Sequence, residues 1–296
     1  MQTMQQPLPY TLNVGGSLFS LATPQVMGIL NCTPDSFYAG SRKQADAEIA
    51  ERVNQIIAEG GTIIDVGAFS TRPGAAQVSA EEEMMRLRHA LQILRREQPD
   101  AVVSVDTFRP DVARMAVEEY GVAIVNDVSE GNVNGAFGGT EGTNAAPELL
   151  APDGYPAMFR MVARLKVPYI LMSVQPTLHD MLMAFSREVQ QLRSLGVADI
   201  ILDPGFGFGK TLEQNYRLMG QLCELQALQC PLLVGVSRKT MIFKLLDVTP
   251  TEALNGTTVL HTIALQQGAH ILRAHDVRQA VEAVKIVCQT YPEIIR

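Results

Sequence analysis

Eight short, continuously apolar runs recur along the chain, and they constrain its fold more than any other feature. Segments with helical spacing of apolar residues lie between them. A run that is apolar at every position, rather than at alternate ones, is typical of a parallel strand covered on both faces. The runs are VMGILN (26–31), TIIDVG (62–67), VVSVD (102–106), VAIVND (122–127), PYILMS (168–173), DIILD (199–203), LLVGVS (232–237) and AHILRAH (269–275).

The segments between the runs carry the start and stop signals of helices. Segment 79–98 begins with Ser79 and has Glu82 three residues later, which is the spacing of a capping box. Its apolar stripe is approximated by Met85, Leu87, Leu91 and Leu94. Segment 46–61 ends at Gly60-Gly61, which is a helix stop before the next strand. These signals predict alternating strands and helices.

Eight such units predict an α/β fold, a (β/α)8 TIM barrel, with functional side chains at the C-terminal ends of many strands. The alternative is a doubly wound sheet, which would concentrate them at one switch point. A chain of 296 residues, 47% of them hydrophobic, suits one barrel domain over 1–296. Residues 9–22 predict a β-hairpin that turns at Gly15-Gly16 and caps the bottom of the barrel. Segment 130–156 has no apolar period and predicts a flexible inserted loop.

Composition narrows the function classes. The formal net charge of −7 argues against a nucleic-acid partner. The four cysteines form no zinc-binding spacing, which favours a reducing cytoplasm. No apolar run approaches the roughly 18 residues of a membrane span, and the first residues carry no secretion signal, so we expect no membrane association.

Nearly every apolar run finishes in a polar or charged residue. One such residue is unremarkable, but a ring of charges facing a barrel mouth is costly to desolvate unless it is paired or binds a ligand. Acceptors suited to a flat heterocycle with several N–H donors are Asp106, Asn126 and Asp203. Donors and cations suited to a polyanion such as a diphosphate are Lys239, Arg273 and His275.

The stretch DPGFGFGKT (203–211) looks at first like a phosphate-binding P-loop. That motif requires a glycine, four further residues and then Gly-Lys-Ser/Thr. Counting back from Gly209 puts Pro204 where the first glycine should be. Proline has a fixed φ and offers no N–H to a phosphate. The sequence therefore argues against a P-loop hydrolase or kinase.

Eight motifs occur in order between about Val26 and Val287: MGILNCTPDSF, STRPG, VSVDTF, IVNDVS, ILDPGFGFGK, GVSRKTMI, LNGTT and RAHDV. Together they resemble the signature blocks of dihydropteroate synthase, the folate-pathway enzyme, whose family fold is a TIM barrel. The resemblance implies that (7,8-dihydropterin-6-yl)methyl diphosphate condenses with 4-aminobenzoate to give 7,8-dihydropteroate and diphosphate. It also implies a Mg²⁺ cofactor, small-molecule substrates and a homodimer. In this family DPGFGFGK is the loop after the sixth strand.

Carried over motif by motif, the resemblance assigns most polar strand ends to a substrate. The pterin would be held by Asp106, Asn126, Asp203 and Lys239. The Mg²⁺ ligand would be Asn31. The diphosphate would contact Thr71, Arg273 and His275. The 4-aminobenzoate would be surrounded by Phe37, Arg72, Pro73, Phe208, Lys239 and Thr240. The residues expected to serve catalysis are Arg72, Asp106, Lys239, Arg273 and His275. Cys32, beside Asn31, is expected to be a buried bystander thiol.

The chain departs from the family pattern in two loops. VGAFSTRPG lacks the usual glycine-rich turn with glutamate, and LMSVQPTLHD has Ser173 where the family has a histidine. These changes touch the rim of the pocket and leave the pterin and diphosphate positions intact. Three alternatives are a pterin-dependent methyltransferase domain, a catalytically altered paralogue and a P-loop NTPase.

Overall fold

All eight apolar runs contribute strands to one parallel sheet. The computed structural model describes residues 10–32, 42–69, 78–132 and 154–292. Its strands are β1 Thr11–Val14, β2 Ser17–Ser20, β3 Gln25–Asn31, β4 Ile63–Gly67, β5 Val102–Asp106, β6 Ile124–Asp127, β7 Tyr169–Met172, β8 Ile200–Asp203, β9 Leu233–Val234 and β10 Ile271–Ala274. Its α-helices are α1 Arg42–Ala58, α2 Ala80–Glu97, α3 Pro110–Tyr120, α4 Ala157–Leu165, α5 Leu178–Ser194, α6 Leu212–Gly220, α7 Thr240–Leu246, α8 Leu254–Gln266 and α9 Val277–Thr290.

The parallel sheet closes on itself. The hydrogen-bonded order is β8-β7-β6-β5-β4-β3-β10-β9. The two outer strands then meet, because Leu202 forms a parallel bridge with Leu232 and its amide donates to the Pro231 carbonyl at 2.9 Å. A doubly wound sheet has two free edges, whereas this sheet has a continuous ring of strands. The predicted (β/α)8 barrel is confirmed.

The helices follow the predicted boundaries closely. Ser79 caps α2, with its hydroxyl accepting from the Glu82 amide at 3.2 Å, while the Glu82 carboxylate pairs with Arg86 at 2.8 Å. The stripe of α2 differs from the prediction at Met85, which is 51% exposed. Met85 lies two positions, about 200° around a helix, from Leu87 and so faces away from the barrel. The buried stripe is Leu87, Ala90, Leu91 and Leu94.

The predicted N-terminal hairpin seals the bottom of the barrel. Its strands pair antiparallel across Gly15 and Gly16, whose φ angles of 59° and 87° suit glycine. Leu12 and Leu21 are buried in a cluster with the lower barrel residues Met27, Ile63, Ala123, Ile124, Ile170, Ile201, Leu233 and Ile271. The Asn13 amide also donates to Asp199 Oδ2 at 2.9 Å, which ties the hairpin to the start of β8.

The predicted loop 130–156 is described only at its two ends, since 133–153 lie outside the described residues. At its start, Glu130–Asn132 form a 3-10 turn in which Glu130 is buried. Among the helices of the described ranges, none has the length and apolar character needed to cross a bilayer.

Glu188 on α5 is a buried carboxylate with little compensation. Its Oε1 accepts from Arg187 at 3.1 Å, while its Oε2 has no hydrogen-bond partner within the described part of the chain. Burial, with the charge of Glu130 adding to it, raises the pKa of Glu188 to about 8. The folded state therefore favours the protonated acid, and this contribution to stability is lost as the pH rises through about 8.

Replacing Glu188 by glutamine is expected to stabilise the protein increasingly as the pH rises from about 4.5 to about 8. Glutamine keeps the shape of the protonated acid and cannot ionise. We expect the free energy of unfolding to rise by at least about 1 kcal/mol at pH 9 and to change little at pH 5. Urea denaturation at both pH values measures this. An equal change at the two pH values would show that packing, not charge, controls the site.

Candidate functional site

Arg273 is the centre of the polar network inside the barrel mouth. It lies on β10, and its side chain joins two carboxylates from neighbouring strands: Nε donates to Asp65 Oδ2 at 2.6 Å and Nη2 to Asp106 Oδ2 at 2.7 Å. Burial works against the Arg273 charge, but Asp65 and Asp106 more than offset this, so the pKa of Arg273 is raised. The planar guanidinium is suited to bridging two acids while keeping other N–H groups free for a ligand.

Asn126 extends the network to β6. Its Nδ2 donates to Asp65 Oδ2 at 3.1 Å. Two acceptors are then left over, because Asn126 Oδ1 and Asp65 Oδ1 are buried and have no hydrogen-bond partner among the described residues. Buried polar atoms are usually satisfied, and unpaired acceptors in a concave site indicate a ligand that brings donors.

The acceptors of the mouth are held in an environment that disfavours their charge. Burial raises the pKa of Asp106 to about 7, although Arg273 opposes the shift. Burial likewise raises the pKa of Asp203, at the end of β8, against the effect of Lys239. Such shifts favour ligands whose N–H donors stabilise the ionised acids.

Lys239 stands beside Arg273. A Cβ built at Gly235 would lie 3.8 Å from both Lys239 Nζ and Arg273 Cβ. Lys239 Nζ donates to the Phe206 carbonyl at 2.6 Å and lies 4.7 Å from the centre of the Phe208 ring. Burial lowers the pKa of Lys239 to about 8. The ammonium group therefore connects the acceptor pocket to an aromatic wall.

The loop that follows β8 is not a phosphate cradle. The Gly205 amide donates to Asp203 Oδ1 at 2.8 Å, and the Gly207 amide donates to Asn215 Oδ1 at 2.7 Å. Lys210 Nζ is turned inward onto three carbonyl oxygens, those of Ser173, Gly205 and Phe208. A P-loop instead offers its amides and its lysine to phosphates. The prediction against a P-loop is confirmed.

Three further predicted residues lie at the same rim. Asn31 is exposed at the end of β3. His275 follows β10, and its backbone is held on both sides: its amide donates to Ser237 Oγ at 3.1 Å, and its carbonyl accepts from Arg52 Nη2 at 2.6 Å. Thr240 is exposed at the first position of α7. Phe37, Thr71, Arg72 and Pro73 lie outside the described residues.

Asp65 is the residue to which the sequence analysis gave no role. It occupies the middle of β4 and is fully buried, yet it accepts from both Arg273 and Asn126. The sequence did carry a signal for this role, since Asp65 is a carboxylate within an apolar run. A charge buried at such a position needs a partner inside the barrel. Cys32 behaves as expected: it is fully buried, and burial raises the pKa of its thiol to about 12, which keeps it a poor nucleophile.

The comparisons with known proteins agree with this geometry. Residues 27–275 match the family model described as pterin binding enzyme. The dihydropteroate synthase of Escherichia coli (strain K12) is 38% identical over 274 residues, which cover 92% of this chain and 93% of that protein. That of Synechocystis sp. is 39% identical over 295 residues, with 94% of each covered.

A solved structure is similar over nearly the whole chain. The dihydropteroate synthase of Xanthomonas albilineans with 4-aminobenzoic acid has a TM-score of 0.81 and 30% identity, covering 96% of this chain and 98% of its own. The chain therefore belongs to the family of pterin binding enzymes, and the three proteins compared above are dihydropteroate synthases.

Proposed function

We propose that the barrel mouth condenses (7,8-dihydropterin-6-yl)methyl diphosphate with 4-aminobenzoate, releasing 7,8-dihydropteroate and diphosphate. The chain is a transferase of folate biosynthesis, a dihydropteroate synthase. The observation that carries this assignment within the site is the network of Arg273, Asp65, Asp106 and Asn126, with two buried acceptors left for a ligand. A methyltransferase domain would share the acceptors, but the relatives matched over nine-tenths of the chain are synthases.

The pterin ring is the ligand that suits the acceptor set. Its edge presents several N–H donors, which would reach Asp106 and Asp203, with Asn126 Oδ1 as a further acceptor. Lys239 would donate to a ring acceptor from the opposite side. Hydrogen bonds to charged groups each contribute about 1.5–3 kcal/mol, so this set orients the ring strongly.

Diphosphate departure is the step that needs cationic groups. The bond from the pterin methylene to the diphosphate oxygen breaks, and the electron-rich ring stabilises the carbocation that remains. Arg273 and His275 would offset the charge that grows on the leaving oxygens, and Arg273 still has N–H groups beyond those bound to Asp65 and Asp106. Thr71 would contribute a further hydroxyl donor from its loop.

Asn31 suits a Mg²⁺ ion bound partly through the substrate. Magnesium commonly takes one or two protein oxygens and completes its octahedron with substrate phosphates and water. The exposed amide of Asn31 has no hydrogen bond to any other described residue, so its oxygen is accessible at the mouth. When bound there, the ion would supply positive charge to the leaving diphosphate.

The second substrate would sit at the aromatic side of the mouth. Phe208 offers a ring face beside Lys239, which would attract the 4-aminobenzoate carboxylate. Thr240, Phe37, Arg72 and Pro73 complete this half of the site in our assignment. The arylamine nitrogen attacks the methylene carbon and then loses one proton to water. No strong base and no covalent nucleophile are required.

We also infer a cytoplasmic homodimer built from one barrel domain over 1–296. All four cysteines are free thiols, which suits a reducing compartment. Leu246 and Val259 are exposed on α7 and α8, and Leu246 lies beside Gly256, so the two helices present an adjoining apolar strip. Sedimentation analysis of Val259→Lys tests this: a variant that stays as dimeric as the parent would rule the strip out as the interface.

The function is tested by measuring diphosphate release with and without 4-aminobenzoate. A synthase releases diphosphate at a rate that depends on the arylamine and forms dihydropteroate in equal amount. Release that ignores 4-aminobenzoate would indicate a hydrolase. The absence of any release from a folded protein that binds the pterin would indicate an inactive paralogue.

Pterin binding is expected to weaken in acid. In the ligand-free protein the pKa of Asp106 is about 7, so about a tenth of its carboxyl groups are ionised at pH 6. Because ring N–H donors require the ionised form, we expect about tenfold weaker binding of the pterin diphosphate at pH 6 than at pH 8. Asp203, whose pKa is also raised, acts in the same direction. Calorimetry against pH measures the effect.

The matched variant is Asp106→Asn. It cannot ionise, so its binding should be weak throughout and its acid dependence much shallower. If Asp106→Asn keeps the full acid dependence of the parent, another group controls the titration.

A further inference from the structure

Glu130 is a buried carboxylate that the synthase reaction does not use. It is 1% exposed and lies on the turn after β6, with a φ of 56°. That left-handed conformation is unfavourable for a side chain with a Cβ. Burial raises the pKa of Glu130, and the donors around it only partly oppose this. A strained backbone and a buried acid at one residue suggest that its contacts serve the neighbouring site.

The contacts of Glu130 all lead to the end of β7. Its Oε1 accepts from Ser173 Oγ at 2.9 Å, and its Oε2 accepts from Gln175 Nε2 at 3.0 Å. Ser173 Oγ in turn accepts from the Gln175 amide at 3.1 Å. Ser173 stands where the family motif has a histidine. In this chain the residue at that position is therefore held by an acid from the turn after the neighbouring strand.

Ser173 also contacts the end of β8 and the loop that follows it. Its amide donates to the Asp203 carbonyl at 2.8 Å, and its own carbonyl accepts from Lys210 Nζ at 3.2 Å. A Cβ built at Gly205 would lie 2.2 Å from the Ser173 carbonyl oxygen, so the two backbones are in close contact. Any shift of Ser173 must move this loop.

Lys210 holds the loop from within. Besides Ser173, its Nζ donates to the carbonyls of Gly205 at 3.0 Å and Phe208 at 3.1 Å. Burial lowers the pKa of Lys210 to about 8, while the charges of Asp203 and Glu130 favour the protonated ammonium. Glu130 thus acts on the loop in two ways. Its hydrogen bond to Ser173 fixes that residue, and its negative charge favours the protonated form of Lys210.

We propose that Glu130 is a positioning residue for the 4-aminobenzoate side of the mouth. Glu130 fixes the position of Ser173, whose carbonyl accepts from the Lys210 ammonium. Lys210 in turn donates to the Phe208 carbonyl and so holds the Phe208 backbone in place. The chain of contacts from Glu130 to Phe208 does not include the pterin acceptors Asp106 and Asn126, and it meets Asp203 at its backbone carbonyl and, through the Gly205 amide, at its Oδ1. The inference rests on the proposed placement of 4-aminobenzoate against Phe208, and it predicts a much larger effect on the second substrate than on the pterin.

Steady-state kinetics of Glu130→Ala test this, with Glu130→Gln as the conservative variant and the exposed Glu282→Ala on α9 as control. We expect Glu130→Ala to raise the KM for 4-aminobenzoate about tenfold and to leave the dissociation constant of the pterin diphosphate within about twofold. Glu130→Gln should restore most of the parent KM, because its amide oxygen can accept from Ser173. Glu282→Ala should match the parent.

A second variant keeps the test decisive if Glu130→Ala folds poorly. Ser173→Ala retains the buried acid and removes only the bridging hydroxyl, and it should raise the same KM by at least about threefold. In a double variant the two effects should not multiply, since both act through one chain of contacts. Equal losses for both substrates, or an unchanged KM for 4-aminobenzoate, would overturn the inference. Arylamine-dependent diphosphate release by the parent protein is measured first, so failure of the synthase assignment would be seen separately.

Discussion

Asp203→Ala is expected to abolish measurable binding of the pterin diphosphate. Asp203 is buried at the end of β8, and its Oδ1 is held by the Gly205 amide at 2.8 Å. Without the carboxylate, ring N–H donors would be enclosed with no acceptor. Losing hydrogen bonds to a charged group costs about 1.5–3 kcal/mol each, so two of them weaken binding by at least about 100-fold. Calorimetry of the folded variant measures the loss.

The same strand supplies a matched control. Asp199 precedes β8 at the opposite end of the barrel and accepts from the Asn13 amide of the hairpin. Asp199→Ala should bind the pterin like the parent and lose only some thermal stability. If Asp203→Ala retains near-parent affinity while folded, Asp203 does not contact the ring.

Arg273→Ala is expected to damage both stability and turnover. Removing the guanidinium leaves Asp65 fully buried, with Asp106 beside it and neither acid neutralised. Leaving one member of a buried ion pair uncompensated costs roughly 3–5 kcal/mol. The loss should shrink at low pH, because Asp106, whose pKa burial raises to about 7, then folds as a neutral group. Turnover should fall at least about 100-fold, since the leaving diphosphate loses a cationic donor.

Two companion variants separate these effects. Arg273→Lys restores one charge but cannot bridge both acids with a planar fork, so it should recover part of the stability and little of the turnover. Asp65→Asn combined with Arg273→Ala should recover stability without activity. If that double variant turned over at the parent rate, Arg273 would have only a structural role. Thermal denaturation and single-turnover assays are the measurements.

The fold was largely predictable because its signal is repeated. Each strand run is short and ambiguous, but eight runs with helical segments between them leave few arrangements. LLVGVS, of which only Leu233 and Val234 form strand β9, was identified because it is a short, continuously apolar run like the others. The hairpin was predictable for a local reason, since Gly15-Gly16 suits two positive φ angles.

The finer contacts of the site were less predictable, since they depend on neighbours far apart in sequence. Asp65 and Arg273 are separated by 208 positions, and only barrel closure brings them together. Glu130 carries no helix or strand signal, and its side chain is bound by Ser173 and Gln175, which lie 43 and 45 positions later in the chain. Met85 was placed on the wrong face because apolar spacing alone did not separate it from Leu87.

The hairpin beneath the barrel affects the route by which substrates reach the site. With Leu12 and Leu21 packed into the lower end, the described part of the barrel leaves that end closed, and we expect substrates to enter at the opposite face. Asp65 and Asn126 are acceptors on the strands themselves, so they lie deeper below the open face than Phe208, which is in a loop. We therefore expect a ligand bound at the strand ends to bind before one bound at the loop and to dissociate after it. The closed lower end of the barrel would thus favour a fixed order of ligand binding at the upper end.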